Sequence, residues 1–308
     1  MSKPTKTVFI TGATSGIGRF TALHLAKRGY HVIGAGRREA ELAKLVEEAR
    51  TLGHKLDVVT IDVTSESSIA AAKAAVDRLT GGRGIDVLVN NAGFGLIGPM
   101  TEISDAELRR QYDTNVFGLM AVTRAFVTDM QARRRGRVIN VSSVGGRMTF
   151  PFMGAYNSTK YAVESISDAL RWELRPFNID VALVEPGVIR TEFADVAMSG
   201  TQQYASSPYG AAIAKADKLR ARMEATASGP ATVAKAIERA ISAYRPAARY
   251  IAPRITWLAL LFKALTPTWM WDWSMRQFAF IGLVEKDLAK ANAPAPVVSG
   301  QIEAKKAA

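Results

Sequence analysis

At 308 residues the chain is long enough to bury a full core, and its length suits one large α/β domain better than two small ones. It has no cysteine, which excludes disulfide scaffolds, thiolate metal sites and cysteine nucleophiles and fits a reducing compartment, so a cytoplasmic protein without a bound metal is expected. A net charge of +12 raises the question of nucleic acid, but only Arg133, Arg134, Arg135 and Arg137 cluster and no recognition module accompanies them, so no nucleic-acid partner is expected.

The first residues, Met1 to Thr7, are polar and run straight into an apolar strand, without the apolar core and cleavage site of an export signal. Apolar runs of strand length follow at Val8 to Thr11, His31 to Ala35, Asp57 to Ile61, Val87 to Asn90, Arg137 to Ser142 and Asp180 to Glu185. Helix-period segments separate them: Thr21 to Arg28, Glu39 to Leu52, Ser65 to Leu79 with a Ser-Glu start suited to capping, a pattern after the fourth strand that contains Asn115, and Ala155 to Leu174. Such alternation predicts an α/β fold, a doubly wound parallel sheet with helices on both faces.

From about Phe193 the alternation gives way to a Ser- and Ala-rich stretch and then to a Trp-rich apolar one. Residues 1–193 are therefore expected to form the cofactor-binding and catalytic core, and residues 194–290 a helical, aromatic-rich extension of the same domain that covers the substrate. Ile255 to Leu265 is apolar, but Lys263 and Pro267 cut it well below the roughly 20 residues needed to span a bilayer. Residues 291–308 mix Pro, Ala, Ser and Lys without apolar periodicity, which predicts a disordered tail.

Thr11-Gly12-Ala13-Thr14-Ser15-Gly16-Ile17-Gly18 follows the first strand and opens a helix. Gly12 permits a tight turn, Gly16 removes a Cβ where a pyrophosphate must approach, and Gly18 lets helix and strand pack closely. The helix N-terminus, with Thr14, Ser15 and Ile17 in the turn, offers unpaired N–H groups to anionic oxygens. Glycines at this spacing are a weak signal alone; the strand before and the helix after make a dinucleotide site, and with it a Rossmann-like sheet. The second strand ends Gly34-Ala35-Gly36-Arg37-Arg38, with two guanidiniums where a carboxylate would hold a ribose lacking the 2′-phosphate. Arg37 and Arg38 can pair with that phosphate, so NADP(H) rather than NAD is expected. Asp62 and Val63, and then Asn90, Asn91, Ala92 and Gly93, close the third and fourth strands at the same carboxyl edge and are expected to flank the adenine and its ribose.

Tyr156 and Lys160, four apart in a predicted helix, share one face. A tyrosine titrates near pH 10, and bringing half of it to phenolate at neutral pH costs about 4 kcal/mol. A fixed ammonium nearby, together with the positive nicotinamide of an oxidised cofactor, supplies much of that and predicts a general acid/base near working pH. Eight tyrosines make this spacing weak evidence alone, so the neighbours decide. Ser142-Ser143 ends the fifth strand, where a hydroxyl can hydrogen-bond a reacting oxygen, and Asn115 could hold a water linking Lys160 to solvent.

TGATSGIG, Asp62-Val63, NNAG, Asn115, a serine thirteen residues before the tyrosine, YNSTK and PGVIRT stand here in order, and in this the sequence resembles the short-chain dehydrogenases/reductases from about Lys6 to Phe193. The resemblance selects Ser143 over Ser142 and implies a tetrad of Asn115, Ser143, Tyr156 and Lys160. It implies that Lys160 also binds the nicotinamide ribose, and that the segment Pro186, Gly187, Val188 to Thr191 covers the nicotinamide. It further suggests dimers or tetramers formed through the helices near Asn115 and Tyr156. NNAGFGLIGP, NVFGLMAVTRAF and VEPGVIRTEFAD resemble the branch of 17β-hydroxysteroid and retinol dehydrogenases, which implies a hydrophobic alcohol or carbonyl.

Phe94, Phe150, Phe152 and Met153 flank this site and are apolar, so with Ser143 and Tyr156 they are expected to line the substrate pocket. The aromatic residues after Phe193, such as Tyr204, Tyr209, Trp257, Trp269, Trp271 and Trp273, allow two readings: a roof over that pocket, which is favoured, or an interface with a subunit or a lipid surface, so that peripheral membrane contact is compatible. A steroid-, retinoid- or lipid-like dehydrogenase leads as the function, with a 3-oxoacyl thioester reductase and a non-catalytic NADP-binding regulator as alternatives.

Overall fold

The computed structural model describes residues 5–291. Its centre is a seven-stranded parallel sheet in the order β3-β2-β1-β4-β5-β6-β7. The strands are β1 (Thr7–Thr11), β2 (His31–Gly36), β3 (Asp57–Thr60), β4 (Val87–Asn90), β5 (Gly136–Val141), β6 (Ile179–Pro186) and β7 (Arg249–Ala252). Helices α1 (Gly16–Lys27), α2 (Glu39–Thr51), α3 (Glu66–Thr80), α4 (Asp105–Tyr112), α5 (Leu119–Arg133) and α6 (Gly154–Glu173) connect the first six strands. This is the Rossmann-like, doubly wound sheet expected from the sequence.

All five residues of β1 are buried, and the two-residue period of a strand sends them to opposite faces. Val8 and Ile10 join Leu25 of α1 and Ile237 on one side. Phe9 joins Val76 of α3 and Phe126 of α5 on the other, with the two phenyl rings 4.7 Å apart. Neighbours of β1 were laid down in opposite directions, β2 and then β3 on one side and β4 onward on the other, so the crossovers leave a crevice at the carboxyl ends of β1 and β4.

The region after β6 contains α7 (Phe193–Met198), α8 (Gly210–Ile213), α9 (Ala216–Ala225), α10 (Ala231–Ser242), α11 (Thr256–Leu265), α12 (Thr268–Phe278) and α13 (Ile281–Ala291). The sequence reading ends the strand-helix alternation near Phe193, but α10 and β7 continue it. Val233, Ile237 and Ile241 of α10 are fully buried in the cluster shared with β1 and α1, and Leu183 of β6 donates its N–H to the Ala248 carbonyl at 2.8 Å. The tail expected beyond residue 291 lies outside the described residues. No helix among the described residues is long and apolar enough to cross a membrane.

The arginine cluster is built into the fold. Arg133 donates to the carbonyls of Arg83 and Ile85, Arg134 to that of Pro176, and Arg135 pairs with Asp86. Arg137 is buried and donates to the Ala240, Ile241 and Ala243 carbonyls at 2.6–2.9 Å while bonding Asp180 at 2.7 Å. It satisfies the open carbonyls at the end of α10.

Candidate active site

The glycine turn forms at the crevice. Gly12 and Gly16 have φ of +68° and +53°, the left-handed region that favours glycine. A Cβ on Gly18 would lie 2.5 Å from Asn91 Nδ2 and closer still to the Gly12 carbonyl oxygen, so α1 starts where only glycine fits. Asn91 holds the turn from the far side: its Nδ2 donates to the carbonyls of Thr11 and Gly12 at 3.0 and 3.2 Å. Thr11 Oγ1 accepts from the N–H groups of Asn91 and Ala92, both at 3.0 Å. The end of β2 abuts the same turn, because a Cβ on Gly36 would be 2.6 Å from Thr14 Cγ2. Arg37 and Arg38 follow, both exposed, and Arg38 reaches Thr14 Oγ1 at 3.4 Å. Thr191, beyond β6, comes within 3.5 Å of the place a Gly16 Cβ would occupy, so the PGVIRT segment lies over the turn. The concave, Cβ-free turn with open helix N–H groups fits a pyrophosphate, and the two exposed guanidiniums fit a further phosphate.

Two residues at the strand ends are held otherwise than expected. Asn90 turns into the protein interior, where its Nδ2 donates to Thr123 Oγ1 and Asn140 Oδ1, both at 2.9 Å. It shares the parity of Leu88, which packs toward α5, so its amide does not reach the carboxyl edge beside Asn91. Asp62 folds its carboxylate back onto the N–H and hydroxyl of Thr64 at 2.9 and 2.7 Å. Burial pushes this carboxyl up, but the Thr64 bonds and the charge of Arg37 outweigh it and hold Asp62 below the usual range.

Helix α6 buries a polar face. Tyr156, Asn157, Thr159, Lys160, Glu164 and Ser167 are all buried beside the apolar Val163, while Ala162, Ile166 and Leu170 are only half-buried. Several of these side chains are bonded at short range. Asn157 Nδ2 donates to the Gly145 and Met148 carbonyls at 2.9 Å and fixes the turn that carries Ser143. Gly146 permits the close approach, since a Cβ there would be 2.8 Å from the Lys160 carbonyl oxygen. Ser143 Oγ, which accepts from Gly145 N–H at 3.0 Å, is thereby brought to Tyr156 as a hydrogen-bond partner.

Lys160 Nζ donates to the Val141 carbonyl at 2.8 Å and lies 5.7 Å from the centre of the Tyr156 ring. Tyr156 and Lys160 are 8% and 7% exposed. Burial pushes the Tyr156 phenol up to about 12, with the Ser143 bond working the other way. The same burial takes Lys160 down to about 8 against the opposing charge of Glu164. The sequence reading expects Lys160 and an oxidised nicotinamide together to bring the phenol near working pH; in the chain alone burial outweighs the Ser143 bond, and Tyr156 is a protonated acid at neutral pH.

Asn115 lies in a widened, π-helical turn, Asp113–Gly118, between α4 and α5. Its Nδ2 donates to the Phe94 carbonyl at 3.0 Å and Thr159 Oγ1 at 3.1 Å, and its Oδ1 accepts from Phe94 N–H at 3.1 Å. Gly93 is next to both Asn115 and Lys160. Phe94 is thus anchored by Asn115, with Arg110 over its ring at 5.3 Å. Phe152, at φ +64°, meets the Tyr209 ring edge-on at 5.9 Å, and Phe150 packs toward Phe278 and Trp271. Met153 leads directly into α6.

Sequence reasoning missed Phe193, whose ring lies 5.3 Å from that of Tyr156 and roofs it, and the buried group behind Lys160. There Arg249 of β7 pairs with Glu164, Glu185 and Asp168 at 3.0, 3.1 and 2.7 Å. Burial first, and then the neighbouring Glu164, push Glu185 up to about 7. No spacing signal links Arg249 to the motifs, because it lies on a strand that the sequence does not announce.

Residues 6–201 match the family model described as short chain dehydrogenase. The chain belongs to this family. As a short-chain dehydrogenase/reductase it is an oxidoreductase that interconverts alcohol and carbonyl groups. It is 35% identical over 260 residues to an NADPH-dependent 3-dehydrocapnine reductase of Ornithobacterium rhinotracheale, covering 83% of this chain and 89% of that one. It is 32% identical over 273 residues to a 3-ketodihydrosphingosine reductase of Bacteroides thetaiotaomicron, covering 88% and 97%. Among solved structures, an actinorhodin polyketide ketoreductase with NADPH superposes with a TM-score of 0.71 at 31% identity, covering 82% of this chain and 97% of that one.

Proposed function

We propose that this oxidoreductase is an NADP(H)-dependent enzyme acting on a hydrophobic alcohol or carbonyl of steroid-, retinoid- or lipid-like character. The observation that carries the reading is the buried, protonated Tyr156 joined to Ser143 with the Lys160 amine 5.7 Å from its ring, beside a glycine turn followed by two exposed arginines. The NADPH dependence of one relative and the NADPH bound to the ketoreductase support the cofactor. Gly12, Thr14, Ser15, Gly16, Ile17 and Gly18 would hold the pyrophosphate, Arg37 and Arg38 the 2′-phosphate, and Asp62, Val63, Asn91, Ala92 and Gly93 the adenosine side. Lys160, Pro186, Gly187, Val188 and Thr191 would hold the nicotinamide side. When bound, the reduced cofactor supplies a hydride.

Ser143 holds the substrate oxygen through its hydroxyl. Tyr156 gives its phenolic proton to that oxygen as negative charge develops there, and the ammonium of Lys160 lowers the cost of the phenolate left behind. A phenol held near 12 is fully protonated at neutral pH, which suits this acid role in the direction of reduction. Asn115 positions Phe94 and Thr159, and Phe94, Phe150, Phe152, Met153 and Phe193 provide apolar walls that keep water from the reacting oxygen. Residues 1–193 carry cofactor and catalysis in this reading, and residues 194–290 cover the substrate, apart from α10, β7 and the outward faces of α11 and α12, where Trp269 and Trp273 are exposed. Exposed Phe117, Tyr161 and Trp172 near α5 and on α6 support a homodimer or homotetramer through these helices. The absence of cysteine supports a cytoplasmic enzyme, and its hydrophobic substrate brings it into peripheral contact with membrane lipid.

The test is turnover of a panel of hydrophobic ketones and acyl thioesters with NADPH, followed at the nicotinamide absorbance. Tyr156→Phe is expected to lose about 100- to 10,000-fold in kcat while still binding NADPH. Unchanged turnover refutes the site; preference for the thioesters refutes the substrate class.

A further inference from the structure

Helices α11 and α12 turn apolar side chains outward as well as inward. At 100° per residue, Trp257, Leu258, Leu261, Phe262 and Leu265 of α11 fall within an arc of about 140°. All five are exposed, Leu265 at 74%. Leu260, on the opposite side, is buried against Val144 and Met148 of the segment that follows Ser143. Helix α12 repeats the arrangement. Trp269, Met270 and Trp273 share an outward face, with the two tryptophans 72% and 64% exposed, while Trp271 packs inward and meets the Phe262 ring at 6.5 Å. Large apolar side chains carry about 150–250 Å² each, so these eight leave on the order of 1,000 Å² open, above the roughly 300–600 Å² of the largest patch on a typical monomer.

Cations outnumber acids on these two helices and the turn before them. Arg254, just before α11, is exposed, Lys263 of α11 is half-exposed with its amine 4.9 Å from the centre of the Trp271 ring, and Arg276 of α12 is paired with Glu285 of α13. Asp272, the one acidic residue of the two helices, is exposed about 60° round the helix from Trp269. Exposed tryptophan and leucine with cations at the margin are what an interfacial helix needs: apolar groups for the acyl boundary, indole rings for the headgroup level, and positive charge for anionic lipid.

We propose that the outward faces of α11 and α12 dock on the surface of an anionic phospholipid bilayer. The inference rests on the reading of a hydrophobic substrate and names the surface by which the enzyme meets it. Because Leu260 of the same helix touches the segment carrying Ser143, a docked enzyme holds the substrate side of its site next to the lipid.

The full chain is to be sedimented with vesicles of phosphatidylcholine and with vesicles of an equal mixture of phosphatidylcholine and phosphatidylglycerol, with tryptophan emission recorded and turnover of a water-soluble ketone with NADPH measured in the same samples. The wild type is expected to sediment with the mixed vesicles and shift its emission to the blue, and Trp269→Asp/Trp273→Asp to bind them at least about tenfold less well with soluble-ketone turnover unchanged. Protein that stays in the supernatant, equal binding by the double variant, or equal binding to phosphatidylcholine alone overturns the proposal. So does a dimer that the double variant abolishes while vesicles capture nothing, which would assign the surface to a second copy. Absent turnover with vesicle binding intact counts against the enzyme reading instead.

Discussion

Replacing Gly18 by alanine perturbs the cofactor turn without touching a titratable group. The new Cβ would lie 2.5 Å from Asn91 Nδ2 and 2.8 Å from the Gly12 carbonyl carbon. Relief to an ordinary contact requires about 1 Å of movement. Asn91 cannot swing away freely, because the same Nδ2 donates to the Thr11 and Gly12 carbonyls. The shift therefore falls on the start of α1 and the turn that presents its N–H groups. Overpacking of this kind costs about 1–3 kcal/mol. If the turn moves by that amount, NADPH affinity falls about 5- to 150-fold. NADPH fluorescence titration and thermal unfolding of Gly18→Ala measure both consequences, and the melting temperature is expected to fall by about 2–6 °C. A variant that binds NADPH within about twofold of wild type, at any stability, refutes the assignment of this turn to the pyrophosphate.

Arg37→Asp is expected to weaken NADPH binding at least about tenfold while leaving NADH binding within about threefold, measured by the same titration; equal losses for both cofactors would remove Arg37 from the 2′-phosphate. Lys160, brought down to about 8 mainly by burial, loses its charge as pH rises through that value. Reductive kcat/KM is therefore expected to be level below about 8 and to fall above it, and a profile level to about 10 counts against a charge role for this amine. Glu185 has its folded value raised from 4.5 to about 7, so the folded protein binds this proton more tightly than the unfolded chain does. Its contribution to stability is full below about 4.5 and is lost as pH rises to about 7. Glu185→Gln cannot ionise, and its melting temperature relative to wild type should rise across that interval; a difference that stays constant with pH refutes the shift.

Five of the six strands visible in the sequence are buried on both faces, where a parallel sheet demands near-continuous apolar runs such as Val8 to Thr11; the sixth, Asp57–Thr60, is an edge strand with one buried residue, visible because its Val58-Val59 pair stands between two helix-period segments. The seventh, Arg249–Ala252, is short and lies at the sheet edge, and three of its four residues are only half-buried, so neither an apolar run nor alternation marks it. Local motifs fared better, because the glycine turn and the Tyr156-Lys160 pair are defined by neighbours in the chain. Asn90 shows where such reading stops. Its strand-end position was visible, but its direction follows from parity with Leu88, and its partners Thr123 and Asn140 come from two other elements. The protonation of Tyr156 was likewise out of reach, since it depends on how deeply α6 buries its polar face, which spacing does not encode.

Arg249 gives the region after β6 a role that a division at residue 193 conceals. Its guanidinium ties β7 to two carboxylates of α6 and one of β6, the nearest of them, Glu164, about one helical turn from Lys160, while α10 completes the hydrophobic layer over α1. A chimaera that exchanges the C-terminal region for a relative's, to alter what the enzyme accepts, therefore has to keep α10 and β7 with their own sheet. The exchangeable parts are the segment from α7 to α9 and the helices from α11 onward, and a crossover at residue 193 would trade away part of the scaffold that aligns the reacting groups.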